Sequence, residues 1–284
     1  IRRGLLNSLI LEDKIEEIVN LNPKFITKEN YSIDEIKKLR NNNYKVIPVL
    51  DKNDVIINIV NFRSVLSYLP IDVVIMAGGL GTRLKPLTDK IPKPLLKIGD
   101  KTIIDYNIDR LISFGVDDFW ISVRYLADQI KEHFGNGNSR NVKIEYVDED
   151  VPLGTIGAVR KINDFKHDHV MVTNSDILTN LNYEDFFKDF IEKDADMSVV
   201  TIPYDVEIPY AVMETESDNV LSFIEKPTYT YYSNGGIYLI KKSILKNIPE
   251  NTLFNSTDLM ELLLEKKLNL ISYPIRNYWL DIGK

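Results

Sequence analysis

The apolar run Ile71-Asp72-Val73-Val74-Ile75-Met76-Ala77 passes directly into Gly78-Gly79-Leu80-Gly81-Thr82-Arg83, and this junction constrains the chain more than any other stretch. The run is short and rich in branched residues, the pattern of a buried parallel strand. A strand that ends in clustered glycines leaves backbone N–H groups within reach of a bulky anion. A Cβ would block that approach, and such loops often need positive φ. Arg83 and the Lys93 of Pro92-Lys93-Pro94 set two permanent cations beside the same loop. The glycines alone would also fit a tight turn with solvated cations nearby. A Walker loop would require Gly-Lys-Ser/Thr, and a dinucleotide fingerprint a different glycine spacing. Loop and cations together suit a polyphosphate.

Beyond residue 71 the pattern alternates. Periodicity predicts helices over 102–114, 127–134, 155–162 and 183–193 and strands over 118–123, 142–147, 169–173 and 197–203. Shorter strands follow over 211–214, 220–224 and 236–240. The expected fold class is therefore α/β: a Rossmann-like, mixed but mostly parallel sheet with helices on both faces and a late antiparallel addition.

In such a sheet the carboxyl ends of strands line the ligand crevice. Asn174-Ser175-Asp176 falls at such an end, where Asp176 could cap a helix or, facing a phosphate loop, hold Mg²⁺. A net charge of −7 over 284 residues argues against nucleic acid as a partner. Without cysteine, neither a disulfide nor a thiolate metal site can form. No apolar run reaches the length of a membrane span, and no signal peptide is evident, so a cytoplasmic location is expected. His133, His167 and His169 show no ligand spacing and are read as incidental.

The whole string Gly-Gly-x-Gly-Thr-Arg-Leu-x-Pro-Leu-Thr, then Pro-Lys-Pro, resembles the signature of the sugar-1-phosphate nucleotidyltransferases. Four later elements resemble that family in order: Leu153-Gly154-Thr155-Ile156-Gly157-Ala158, Phe223-Ile224-Glu225-Lys226-Pro227, Asn234-Gly235-Gly236 and Trp279-Leu280-Asp281-Ile282-Gly283. The resemblance implies transfer of a nucleotidyl group from an NTP to a sugar-1-phosphate, with release of pyrophosphate. It implies that Ala77, Gly78, Gly79, Gly81, Thr82, Arg83 and Gly154 bind the nucleotide. Arg83, Lys93 and Asp176 would be catalytic, and Asp176 and Asp281 would hold Mg²⁺. Gly154, Glu225, Lys226, Asn234 and Gly235 would receive the sugar phosphate. The Leu-Gly-Thr-x-Gly-Ala element looks most like the mannose-1-phosphate guanylyltransferase branch, which favours GTP, with thymidylyl, uridylyl and cytidylyl transfer open. A nucleotide-sugar-binding regulator without turnover is the alternative of another class.

Residues 1–69 have a different texture. Helical spacing occurs over 13–21 and 30–40, the latter with Ile33, Ile36 and Leu39 on one side. Strands over 44–50 and 55–60 flank the turn Asp51-Lys52-Asn53-Asp54, and a helix is expected over 63–68. This order resembles a CBS motif over 22–69, preceded by the tail of another, giving a partial CBS module over 1–69 and a nucleotidyltransferase domain over 70–284. Asn61 and Ser64 stand where ligand-binding CBS motifs carry a Thr and an Asp for ribose, so assembly, as a homo-oligomer, is favoured over adenosyl sensing. The chain opens on Ile1 rather than Met and reads as a fragment or processed product, with its second domain truncated at the C-terminus.

Overall fold

The computed structural model describes residues 10, 14, 16, 19–27, 31–276 and 278–283. The chain divides into two compact units, Ile1–Ser64 and Val65–Lys284. In the first, β1 (Ile26–Thr27) precedes α1 (Ile33–Asn41), β2 (Val46–Leu50) and β3 (Ile56–Asn61). Strand β2 pairs parallel with β1 and antiparallel with β3. Ser32 caps α1 by accepting a hydrogen bond from the Glu35 amide at 3.1 Å, and Ile33, Ile36 and Leu39 form its buried face as the spacing predicts. Asp51 closes the hairpin by accepting the Asn53 and Val55 amides, which hold its carboxyl below the ordinary range. Of the helix expected over 13–21, residues 13, 15, 17 and 18 lie outside the described residues.

The helix expected over 63–68 does not form. Leu66 gives its amide to the Ser113 carbonyl at 2.6 Å and Ser67 its hydroxyl to Glu184 Oε1 at 2.7 Å, so local helical bonds give way to distant partners.

The second unit comprises, in chain order, β4 (Asp72–Met76), β5 (Lys97–Ile98), β6 (Lys101–Thr102), α2 (Ile103–Ser113), β7 (Asp118–Val123), α3 (Ala127–Phe134), β8 (Lys143–Asp148), β9 (His169–Asn174), β10 (Ile177–Thr179), α4 (Tyr183–Glu192), β11 (Met197–Glu207), β12 (Val212–Glu216), β13 (Asn219–Ile224), β14 (Thr228–Lys241), α5 (Ser256–Glu265), β15 (Leu270–Pro274) and β16 (Trp279–Asp281). Seven strands form one sheet in the order β15-β11-β14-β9-β4-β7-β8. Neighbours among β9, β4, β7 and β8 run parallel, as do β11 and β15, and β14 alone opposes both its neighbours. This is the mixed, mostly parallel α/β sheet that the alternation predicts.

Val73, Val74 and Ile75 are fully buried at the centre of the sheet. Val74 belongs to a cluster with Val147, Ile156, Val172, Met197 and Leu259. Each such side chain contributes roughly 1.5–3 kcal/mol on burial. Residues 155–162, expected as an α-helix, form only a 3₁₀ turn over Gly157–Lys161, because the Ile156 and Gly157 amides bond the Phe254 carbonyl instead. Elements α5 and β15 occupy a stretch where periodicity gave no expectation. Among the described residues no helix is long and apolar enough to cross a membrane.

The amino ends of the central strands carry a polar cluster. Asp72 accepts the Lys166 and His167 amides, and burial raises its carboxyl above the ordinary range. Asp118 pairs with Lys166 and lies 3.7 Å from His167 Nε2. Burial would raise Asp118 too, but hydrogen bonds from His167 and Lys166 outweigh it and hold the group low. His133 Nε2 meets Asp105 Oδ1 at 2.9 Å, and His169 packs edge-on against Phe187 and Phe190. The histidines are thus placed rather than incidental: the topology supplies carboxylates and rings that sequence spacing does not reveal.

Candidate active site

At the opposite, carboxyl end of β4 the chain leaves the sheet at Ala77, whose amide bonds the Ser122 carbonyl at 2.9 Å. Beyond it the amides of Gly78, Gly79 and Gly81 form no hydrogen bond among the described residues. The loop is fixed at its far side instead. Buried Thr88 donates to the Gly81 carbonyl at 2.8 Å, and the Tyr125 hydroxyl donates to the Thr88 carbonyl at 3.0 Å. Free amides on a loop anchored elsewhere are a ready anion cradle. Gly78 has a further reason to lack a side chain, since a Cβ there would lie 2.7 Å from Glu149 Oε1.

Two carboxylates predicted from distant motifs meet beside this loop. Strand β10 follows Asp176 and pairs antiparallel with β16, placing Ile177 opposite Asp281, and the Ile282 amide bonds the Asp176 carbonyl at 3.0 Å. Asp176 is positioned from behind as well: Ser175 donates its amide to the Met76 carbonyl, and buried Asn107 on α2 donates to the Ser175 carbonyl at 3.2 Å. Trp279 anchors β16 by giving its indole N–H to the Gly235 carbonyl at 2.9 Å. Between the carboxylates lies the Lys93 ammonium, in contact with Asp176 Oδ2 and 3.9 Å from Asp281 Oδ1. It packs against Gly283, where a Cβ would collide with Lys93 Nζ and lie 3.3 Å from Arg83 Nη2. Arg83 itself is exposed and makes no ion pair among the described residues.

The loop, Lys93 and Asp176 border a cavity of about 390 Å³, lined by Ala77, Gly78, Gly79, Gly81, Thr82 and Arg83, by Lys93 and Asp176, and by Gly154; Asp281 stands behind Lys93 and does not line it. That volume suits a nucleotide-sized ligand. Glu149, Arg124 and Asn174 also line it, and of these Glu149 has no place in any sequence motif. Glu149 is buried, accepts the Ser122 hydroxyl and accepts the Leu153 amide at 3.1 Å. Arg124 makes no ion pair or hydrogen bond among the described residues. Glu149 and Arg124 approach each other at the Gly78 loop, where a Cβ on Gly78 would lie 2.7 Å from Glu149 Oε1 and 3.4 Å from Arg124 Cβ.

Gly154 lines the cavity, and around it Leu153, Thr155, Ile156 and Gly157 give their amides to Glu149, Asn255 and Phe254. Thr155 extends a chain of hydrogen bonds through Ser256 to the Tyr238 hydroxyl and on to Asn234 Oδ1. Burial raises the Tyr238 phenol above its ordinary range, and the Ser256 and Asn234 bonds offset part of that rise.

The remaining sugar-side residues are not gathered at the cavity. Glu225 and Lys226 are exposed in the turn between β13 and β14 and do not line it, nor do Asn234 and Gly235. Asn234 opposes Thr201 next to a break in the β11–β14 register.

The nucleotidyl transferase family profile matches residues 72–284, so the chain belongs to that family. It is 30% identical over 230 residues to a UTP–glucose-1-phosphate uridylyltransferase of Synechocystis sp., covering 74% of this chain and 59% of that one. A mannose-1-phosphate guanyltransferase of Schizosaccharomyces pombe is also 30% identical, over 220 residues, covering 74% and 60%. The chain thus spans about three fifths of the length of these relatives. Among solved structures, HddC from Yersinia pseudotuberculosis complexed with GMP-PN is similar with a TM-score of 0.56 at 30% identity, covering 75% of this chain and 94% of that one. The family match falls within the second unit.

Proposed function

We propose that the second unit transfers a nucleotidyl group from an NTP, GTP in this reading, to a hexose-1-phosphate, giving an NDP-sugar and pyrophosphate. The observation that carries it is the meeting of Lys93, Asp176 and Asp281 beside the unbonded amides of the Gly78 loop. Bringing one anion onto the α-phosphorus of another is a problem of positioning and charge. The Gly78, Gly79 and Gly81 amides would cradle the triphosphate, Arg83 would neutralise the leaving pyrophosphate and Lys93 the α-phosphate. The sugar phosphate oxygen forms its bond to the α-phosphorus as the α–β bridge breaks. It is already ionised at neutral pH, so no general base is required.

Asp176 and Asp281 suit a hard divalent ion, because each has a carboxylate facing a cation that a metal could replace. Mg²⁺ held there would supply charge neutralisation on the phosphates. Glu149 supports guanine: its carboxylate can accept from N1–H and the exocyclic amine, while uracil and thymine would turn carbonyl oxygens toward it. Arg124 could donate to the guanine acceptors on the other edge. The uridylyltransferase and guanyltransferase relatives keep both bases within the family, and the GMP-PN complex of HddC agrees with the second. A panel of NTPs against hexose-1-phosphates, followed by pyrophosphate release, tests the whole reading. Pyrophosphate formation with GTP and a hexose-1-phosphate is expected, and no release with any pair overturns it.

For the first unit we propose a role in assembly. Its β–α–β–β order supports kinship with a CBS motif, although the closing helix is missing. Exposed Val46, Ile57 and Ile59 on its strands suit a contact surface. Ser64 donates its hydroxyl to the Asn61 carbonyl at 3.0 Å, a closed turn that argues against a ribose site.

A further inference from the structure

Resting on the reading of Asp176 and Asp281 as metal ligands, the position of Lys93 has its own consequence. Its side chain is 11% exposed, and those of the two aspartates are 20% exposed each, so the three charges are largely withdrawn from water. Three features hold the arrangement. The β10–β16 pairing fixes the carboxylates, the Gly283 amide donates to Asp281 Oδ1 at 2.7 Å, and the bare Cα of Gly283 leaves room for the ammonium. Like charges cannot share this space, so a dication and an ammonium are alternatives there.

We infer that Lys93 is a built-in counter-cation that occupies the metal position in the free enzyme and gives it up when a triphosphate arrives. Two partly buried carboxylates side by side would repel without it. The four-carbon stem of lysine lets the ammonium swing without moving the backbone. A triphosphate on the Gly78 loop offers it a new anionic partner, and the carboxylates are then released to the metal. Lys93 thus couples the two sites: the ligand-free enzyme binds divalent cations poorly, and metal and triphosphate strengthen one another's binding.

The test is Mn²⁺ binding to the full chain, read as free Mn²⁺ by electron paramagnetic resonance, with and without a non-hydrolysable GTP analogue. Lys93→Met should bind Mn²⁺ roughly tenfold or more tightly than the parent in the absence of nucleotide, and the analogue should add less. Lys93→Gln removes the charge but keeps a side chain that can donate to Asp176, whereas a methyl on Gly283 would also lie 2.9 Å from Asp281 Oδ1 and disturb the site itself. Lys93→Gln should shift Mn²⁺ affinity in the same direction, which keeps the inference open to test should Lys93→Met fail to fold. Asp176→Asn should weaken binding in either background. Unchanged or weaker Mn²⁺ binding in both Lys93→Met and Lys93→Gln, with Asp176→Asn still losing the ion, overturns the counter-cation role and leaves the metal site standing. If Asp176→Asn binds Mn²⁺ like the parent, the metal reading itself fails, and the inference fails with it.

Discussion

The loop after β4 and the ribbon formed by the outer halves of β11 and β14 both carry residues expected to touch substrate, yet they are built differently. Gly78, Lys93 and Asp176 sit at or against the edge of a seven-stranded sheet, each tied to buried neighbours. In the ribbon, Tyr204, Tyr231 and Tyr232 are each more than half exposed, and the turn bearing Glu225 and Lys226 meets solvent. Two strands without a covering layer are marginal on their own. On the proposed reading, the triphosphate half of the reaction therefore lies among buried neighbours, whereas the sugar-side charges Glu225 and Lys226 are exposed. Residues that must stabilise charge during reaction belong on rigid elements, and the division follows that rule.

The largest expected effect comes from breaking the triphosphate half. Asp176→Asn or Asp281→Asn should lower turnover roughly 100- to 1,000-fold with the circular dichroism spectrum unchanged. Near-normal turnover at saturating Mg²⁺ would remove the rigid half from the chemistry. Glu149→Gln sharpens the comparison within the cavity. It should cost GTP about 1–3 kcal/mol relative to UTP, close to tenfold or more in kcat/KM ratio, and equal losses for both would return Glu149 to a purely packing role. On the ribbon, Lys226→Ala should raise the KM for the sugar-1-phosphate roughly tenfold, the weight of one charged hydrogen bond. Should the KM for NTP rise instead, the two halves would have to exchange their assignments. Smallest is Trp279→Phe, which removes the bond to the Gly235 carbonyl. It should cost about 1 kcal/mol, a shift of roughly 2–4 °C in Tm, and an unchanged Tm would mean that β16 is held by its pairing with β10 alone.

What the sequence reveals follows the same division. The loop from Gly78 to Arg83, Lys93, Asp176 and Asp281 were legible because a short string needs those residue types in that order, and the sheet places them accordingly. Glu149 was not: within Val147-Asp148-Glu149-Asp150 it looks like one solvated acid among three, and only the pairing of β7 with β8 turns it inward toward Ser122. Nothing local shows that the amides after Leu153 are taken, since their acceptors, Phe254 and Asn255, lie about a hundred residues away. The region over 63–68 has good helical spacing, but Ser113 and Glu184 offer its backbone and hydroxyl groups better partners. In each failure the deciding contact is remote in sequence.

The pairing of β10 with β16 joins Asp176 to a residue made 105 positions later (281 − 176). At about 5–20 residues per second, a ribosome needs roughly 5–20 s to travel from one carboxylate to the other. Throughout that interval the glycine loop and Lys93 already exist while half of the anionic pair does not. On the proposed reading, the anion cradle is thus made well before the pair of carboxylates, which is complete only once β16 pairs with β10.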